Sequence, residues 1–290
     1  MFPPKSVGLV VLMQKKGTAS AVDRMQKALD RHHVACKVID RYDQLVHHMD
    51  SVDMLMTFGG DGTMLSVSSL AAMHHVPLVG INLGRLGFLT ACSVDEIDDF
   101  VEDLCAGRVD IDERNLLEVV RFNEEGCLIG EKKLALNEIS LLRAQSGKMV
   151  DVDAKVDGVL LNRYHADGVL VSTPTGSTAY SLSAGGPLVW PAAAVICVTP
   201  ICPHSLTNRS VVLPDSSHIV LKPKERRGRY DSMIFSVDGR STYEMEVGES
   251  LHIKKADQVL VLVHRKGKNF SELLRAKLRW QGAEIGEDDE

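Results

Sequence analysis

Met54-Leu55-Met56-Thr57-Phe58-Gly59-Gly60-Asp61-Gly62-Thr63 is an apolar run that stops abruptly in a glycine-flanked aspartate. A strand ending this way lets the backbone approach something closely. The glycines are expected to supply positive φ and to clear Cβ from the path, so that amide N–H groups converge on an anion. Thr63 to Leu70 reads as a helix, whose N-terminus adds free N–H donors at the same place. Asp61 is the odd member. A carboxylate in a phosphate nest repels phosphate unless it holds a metal or takes up a proton, which points to phosphoryl transfer. The competing reading is a tight turn whose glycines serve geometry alone, and the rest of the chain must decide.

Working outward, the first third alternates strand and helix. Val7 to Met13 is a continuous apolar run suited to a strand buried on both faces. Ala21 to His32 places Val22, Met25 and Leu29 on one helical stripe. Ala35 to Ile39, Asp53 to Phe58 and Val76 to Ile81 are further strands. Ser93 with Glu96 three positions on opens a helix through Asp103 in the capping-box pattern. This alternation predicts a doubly wound parallel sheet, Rossmann-like, with ligands beyond the carboxyl ends of its strands. Gly59 to Thr63 and Asn82 to Phe88 occupy such ends and are expected to line one crevice. From about Ile111 the pattern becomes short strands separated by turns, with Asn123 to Gly126 and Asp157-Gly158 as hairpins. That spacing predicts a β-rich, sandwich-like second unit. The expected organisation is an α/β domain over 1–110, a β-rich domain over 111–265, and 266–290 as a C-terminal helix packing back on the first unit, with a disordered acidic tail.

At 290 residues and 44% hydrophobic, the chain can bury one large core or two ordinary ones. The net charge of −6 excludes nucleic-acid binding by bulk charge. The tail from Glu284 to Glu290 holds five acids, so the body carries −6 + 5 = −1. An anionic substrate therefore needs locally placed cations and amides. The longest apolar candidate, Leu188 to Cys202, is interrupted by Pro191 and Pro200, and no signal-peptide core precedes the first strand. A cytoplasmic protein without membrane contact is expected. The six cysteines form no Cys-x-x-Cys pair and read as small buried apolar residues. The doublets His32-His33, His47-His48 and His74-His75 diverge from one another and do not make chelates.

Two further constellations could carry chemistry. Asp167 to Pro187 includes Ser172-Thr173-Pro174-Thr175-Gly176-Ser177-Thr178-Ala179-Tyr180-Ser181-Leu182-Ser183, small hydroxyl side chains between a strand and a short helix. They suit a nucleotide's ribose, base edge or phosphate, and equally a capped turn. Neither a P-loop nor a G-x-G-x-x-G fingerprint occurs. Asn137-Glu138 sits where a strand begins. Successive strand residues face opposite ways, so both serve one ligand only if the strand bulges or ends there.

Together, in matched order from Gly59 to about Arg240, these residues resemble the NAD kinase family. The resemblance rests on Gly59 to Thr63, Asn82 to Leu89, Leu136-Asn137-Glu138, Asp167-Gly168 with Thr173 to Tyr180, and Val237-Asp238-Gly239-Arg240. The first element is shared with diacylglycerol kinases and phosphofructokinases; the Thr173 to Tyr180 string is far more specific. The resemblance implies an enzyme, transferring the γ-phosphoryl of ATP to the 2′-hydroxyl of the adenosine ribose of NAD. It implies Asp61 as proton acceptor, with Gly62 against the dinucleotide. Asn137, Glu138, Lys148, His165 and Asp167 fall on NAD-contacting positions. Thr178, Ala179, Tyr180, Ser181, Leu182 and Ser183 hold the adenine and its ribose, and Arg240 is a further contact. Gly59, Gly60, Gly62 and Thr63 are expected to hold phosphate, with Arg85 either a supplementary cation or a solvated loop arginine. Mg²⁺ or another divalent cation is expected on the ATP phosphates, with no protein metal cage. A homo-oligomer, tetramer or dimer, is implied as well.

Two other readings compete. A lipid kinase sharing Gly-Gly-Asp-Gly-Thr predicts a membrane-docking surface and leaves Thr173 to Tyr180 unexplained. A non-catalytic dinucleotide-binding regulator requires no carboxylate at the hydroxyl to be phosphorylated, so Asp61 argues against it.

Overall fold

The structure, a computed structural model, describes residues 3–12, 17–84, 87–144, 148–224, 232–246, 248–267 and 269–280. Arg85, Leu86 and the acidic tail lie outside the described residues. The first part runs β1 (Ser6–Val10), α1 (Thr18–Arg31), β2 (Ala35–Ile39), α2 (Tyr42–His48), β3 (Met54–Gly59), α3 (Asp61–Met73), β4 (Leu78–Asn82), β5 (Cys92–Ser93) and α4 (Ile97–Cys105). The second runs β6 (Val109–Phe122), β7 (Leu128–Ala135), β8 (Glu138–Arg143), β9 (Val150–Val156), β10 (Val159–Ala166), β11 (Gly168–Ser172), α5 (Tyr180–Ser183), β12 (Val195–Ile201), β13 (Val211–Pro214), β14 (Ile219–Lys224), β15 (Met233–Val237), β16 (Ser241–Met245) and β17 (Ser250–Arg265). Helix α6 (Phe270–Leu278) follows.

Strands β4, β3, β1 and β2 lie side by side and parallel. Alternate residues of these strands feed opposite faces, as the period of two dictates. Leu9, Met56 and Ile81 meet Met25, Leu29, Phe100 and Leu104 of α1 and α4. Val10, Leu55 and Leu78 meet Leu45, Met64 and Leu70 of α2 and α3. The doubly wound expectation therefore holds, and the Ser93–Glu96 capping box forms at the entry to α4.

The sheet does not end with the first part. β17 pairs parallel to β4 at Leu262↔Leu78 and antiparallel to β6 along nearly its whole length. Through it the sheet continues into β14, β9 and β10. A second, antiparallel sheet has the order β13-β12-β11-β8-β15-β16. Its inner face, with Ile139, Leu141, Val171 and Phe235, packs on Val152, Ala154, Ile219 and Leu251 of the first sheet. This is the expected sandwich. A one-residue slip in any of these strands would turn its apolar set to solvent, so burial on this face pins the register.

Candidate active site

Strand β3 is buried along its length and stops at Gly59, and α3 starts at Asp61. The Asp61 carboxylate is therefore carried on the first helical turn, where it turns back onto the loop after β4. The Phe88 N–H donates to Asp61 Oδ2 at 2.8 Å and the Leu89 N–H to Oδ1 at 2.9 Å. A Cβ at Gly87 would collide with that carboxylate. The two amides thus fix the plane of the carboxylate, and glycine at 87 makes room for it.

The glycines of the opening stretch work differently from expectation. None of Gly59, Gly60 and Gly62 has positive φ among the described residues. Gly59 is needed because a Cβ would strike Thr63, whereas a Cβ on Gly60 or Gly62 would meet only open space. Thr63 is buried and its N–H donates to the Gly60 carbonyl at 2.9 Å. No side chain caps this helix end. The N–H groups of Asp61 and Gly62 find no backbone acceptor among the described residues, as the first turn of a helix dictates.

The Asn137-Glu138 parity problem has a simple solution: β8 begins at Glu138, and Asn137 lies in the turn before it. That turn is held by Asp238, a residue with φ of 51° between β15 and β16. The Asp238 carboxylate accepts N–H groups from Leu136 at 2.9 Å, Asn137 at 2.7 Å and Glu138 at 3.1 Å. Its own N–H donates to the Glu138 carbonyl at 2.9 Å. Burial raises the Asp238 pKa while these three donors pull it down. Glu138 is 5% exposed, and its Oε2 has no hydrogen-bond partner among the described residues. Burial, and then the neighbouring Asp238, push its pKa to about 8. At neutral pH it carries a proton and can donate to a ligand acceptor.

The hydroxyl-rich string spends much of its hydrogen bonding on itself. The Thr173 N–H donates to the Asn137 carbonyl at 2.9 Å and its Oγ1 to the Leu136 carbonyl at 2.6 Å. A Cβ at Gly176 would strike Asn137, so loop and turn close directly on each other. Ser177 Oγ accepts from the Val189 N–H at 3.0 Å, and Thr178 Oγ1 donates to the Thr175 carbonyl at 3.0 Å. Ser181 is fully buried with its hydroxyl 3.4 Å from Thr199 Oγ1, and supports the turn from beneath. Thr178, Ala179, Tyr180, Leu182 and Ser183 keep accessible surface, Tyr180 being 40% exposed. The Tyr180 pKa is raised by burial first and then by Cys202, Asp167 and Glu138, which places the phenol among these groups.

The remaining candidates have protein partners. Arg143 grips Asp167 with Nε on Oδ1 at 3.0 Å and Nη2 on Oδ2 at 3.2 Å. His165 Nδ1 lies 2.7 Å from Asp151 Oδ1, its ring 5.7 Å from that of His204. Lys148 is exposed ahead of β9. Arg240 Nη1 donates to the Gly62 carbonyl at 2.8 Å, so the β15–β16 turn touches the start of α3 directly. Asp61, Gly62, Arg240, Asp238, Asn137 and Glu138 are thereby linked through one chain of contacts. The organising role of Asp238 is the main feature the sequence reading lacked; its only sign was an Asp-Gly turn inside the Val-Asp-Gly-Arg string. Among the described residues no three His, Cys, Asp or Glu side chains gather to hold a metal.

Comparison with known proteins agrees with this fold. The family described as ATP-NAD kinase N-terminal domain matches residues 5–109, and its ATP-NAD kinase C-terminal domain counterpart matches 136–265. An NAD kinase of Sulfurimonas denitrificans is 37% identical over 284 residues, covering 95% of this chain and 97% of its own. One from Porphyromonas gingivalis is 36% identical over 280 residues, covering 95% and 92%. The crystal structure of yeast NADH kinase complexed with NADH superposes with a TM-score of 0.85 at 26% identity, covering 97% of this chain and 89% of that one. An NAD kinase from Archaeoglobus fulgidus in complex with ATP gives 0.76 at 25%, covering 94% and 98%.

Proposed function

The chain belongs to the NAD kinase family, and from that premise we propose how its residues divide the work. Its activity is that of an NAD kinase: the γ-phosphoryl of ATP passes to the 2′-hydroxyl of the adenosine ribose of NAD, giving NADP. The curated relatives are kinases of NAD, so neither the lipid kinase nor the silent dinucleotide regulator is favoured.

Asp61 is the general base. A ribose hydroxyl is a poor nucleophile, and a carboxylate within hydrogen-bond reach accepts its proton as the new O–P bond forms; such catalysis typically contributes about 10²–10⁴-fold. The observation that carries this assignment is the pair of amides from Phe88 and Leu89, which hold both Asp61 oxygens at the mouth of α3. Positioning and charge neutralisation supply the rest. The open backbone at Gly60 to Gly62 receives phosphate, with Gly59 and Thr63 forming the packed base beneath it. Asn137, protonated Glu138, Asp167 and the accessible face of Thr178 to Ser183 bind NAD, with Ser181 contributing from below. Lys148 and His165 flank the far end of the dinucleotide, and Arg240 joins its site to α3. With no protein cage among the described residues, magnesium would be held by the ATP phosphates, where it supplies charge neutralisation.

The division of labour follows units 1–110, 111–265 and 266–290, which is supported by the two matched family segments. No helix among the described residues is long and apolar enough to cross a membrane. Six free cysteines support a reducing, cytoplasmic setting. Exposed Val159, Leu160 and Leu206 on the β-rich part support a homo-oligomer, tetramer or dimer. Incubation with ATP, Mg²⁺ and NAD, followed by detection of NADP, tests the activity; absence of NADP, with diacylglycerol phosphorylated in a parallel assay, overturns it.

A further inference from the structure

A cavity of about 190 Å³ adjoins the loop that holds Asp61. Phe88, whose N–H binds the Asp61 carboxylate, contributes its ring to one wall. Phe270 and Leu273 of α6 form another. The two phenyl rings lie 6.2 Å apart, and Trp190 abuts Phe270 edge-on at 5.1 Å. The polar lining comes from Asp110, Asp112 and Arg114 of β6 and from His264 of β17. Arg114 is only 6% exposed, it is ion-paired to Asp112, and its Nη1 donates to Thr175 Oγ1 at 3.1 Å. Its Nε has no hydrogen-bond partner among the described residues. A buried guanidinium N–H left without an acceptor is costly unless something else supplies one.

From this we infer that the cavity takes the nucleobase of the phosphoryl donor, a purine nucleoside triphosphate, an inference that rests on the kinase reading above. Three features choose the base over other parts of the donor. The volume is well below the roughly 300–1,000 Å³ of sites that engulf a whole ligand, so it houses a base while sugar and phosphates lie outside. Asp110 and Asp112 repel a triphosphate and the Arg114 guanidinium is already paired with Asp112, so the phosphates belong instead at the amides of Asp61 and Gly62. The lining sets carboxylate acceptors and the Arg114 guanidinium, a donor, between aromatic walls. An adenine edge offers the complement, an N6 amino donor beside the N7 acceptor. The placement is also economical. Phe88 joins donor cavity and general base, and Arg114 joins the cavity to the dinucleotide string through Thr175, so both nucleotides converge on Asp61.

The test uses the full chain, with steady-state kinetics and photolabelling by 8-azido-ATP. Phe270→Ala is expected to raise the KM for ATP about tenfold while the KM for NAD stays within about twofold. Phe270→Leu, which keeps apolar volume and loses the ring, should show the same split in smaller degree, and thermal unfolding reports whether either variant folds. Label is expected on peptides containing Phe88 or Phe270, with ATP protecting and NAD failing to protect. Label confined to Thr173 to Ser183, or an unchanged ATP KM in folded variants, overturns the assignment. Should the wild type make no NADP, the kinase reading fails, and protected label at Phe88 or Phe270 still decides whether the cavity holds a nucleotide base.

Discussion

Asp61 and Glu138 are both carboxyl groups, and their surroundings give them opposite tasks. Asp61 accepts one backbone N–H on each oxygen and keeps a lone pair on each for a further donor, which in the proposed mechanism is the ribose hydroxyl. Replacing it with Asn preserves size, so Asp61→Asn should bind NAD as the wild type does and lose roughly 10²–10⁴-fold in kcat; turnover near wild type would remove the general-base role. Glu138 is buried with one oxygen unpartnered, and its pKa stands near 8 instead of the usual 4.5. Because the folded value exceeds the unfolded one, the native state binds more protons between these limits. Stability from this group therefore falls as pH rises from about 4.5 to about 8 and is flat beyond. Glu138→Gln should abolish that component, so its melting temperature should decline less than the wild type's over this window. Parallel declines would show that Glu138 titrates normally. The sequence made Asp61 conspicuous because glycines surround it. It could not display the state of Glu138, which depends on burial by strands β11 and β15 brought in from elsewhere in the chain.

Among elements, the β15–β16 turn has the most to do relative to its size. Three N–H groups from Leu136 to Glu138 end on Asp238, and Arg240 two residues later reaches the Gly62 carbonyl. In Asp238→Ala three buried donors lose their acceptor, each costing about 1–3 kcal/mol if left unsatisfied. The variant should be destabilised by several kcal/mol in denaturant melts. At low temperature, where it still folds, its KM for NAD should rise more than its kcat falls. A KM unchanged from wild type would separate this turn from dinucleotide binding. Strand and helix alternation was legible in the first third because each element carries its own period. The turn's role was not, because its partners lie about a hundred residues away and hydrogen bonds of that separation leave no periodic trace. The glycines of the opening stretch teach the same lesson. Their presence was legible, but the reason, close packing at Gly59 and open ground at Gly60 and Gly62, needed the positions of their neighbours.

At the scale of the whole molecule, the hydrophobic core runs across residue 110 without a break. Ala256, Leu260 and Leu262 sit in the same cluster as Leu70 and Val76, and Val263 joins Phe58 and Ile81 on the other face. A fragment of residues 1–110 should therefore fail to fold cooperatively by calorimetry; a sharp two-state transition in that fragment would contradict the shared core. Sandwich and parallel sheet were each readable from spacing, but their fusion through β17 was not. Val259 to Val263 reads equally well as a strand of either sheet. That shared strand also orders events during synthesis. The ribosome delivers Leu78 early and its partner Leu262 only after some 180 further residues, whereas Ile81 and Asn82 find Cys92 and Ser93 of β5 almost at once. The start of β4 is therefore the part of the nascent first third left with an open flank. A chain that stops before β17 lacks the strand that joins the parallel sheet to β6 and β14, so truncation there removes a neighbour from both halves.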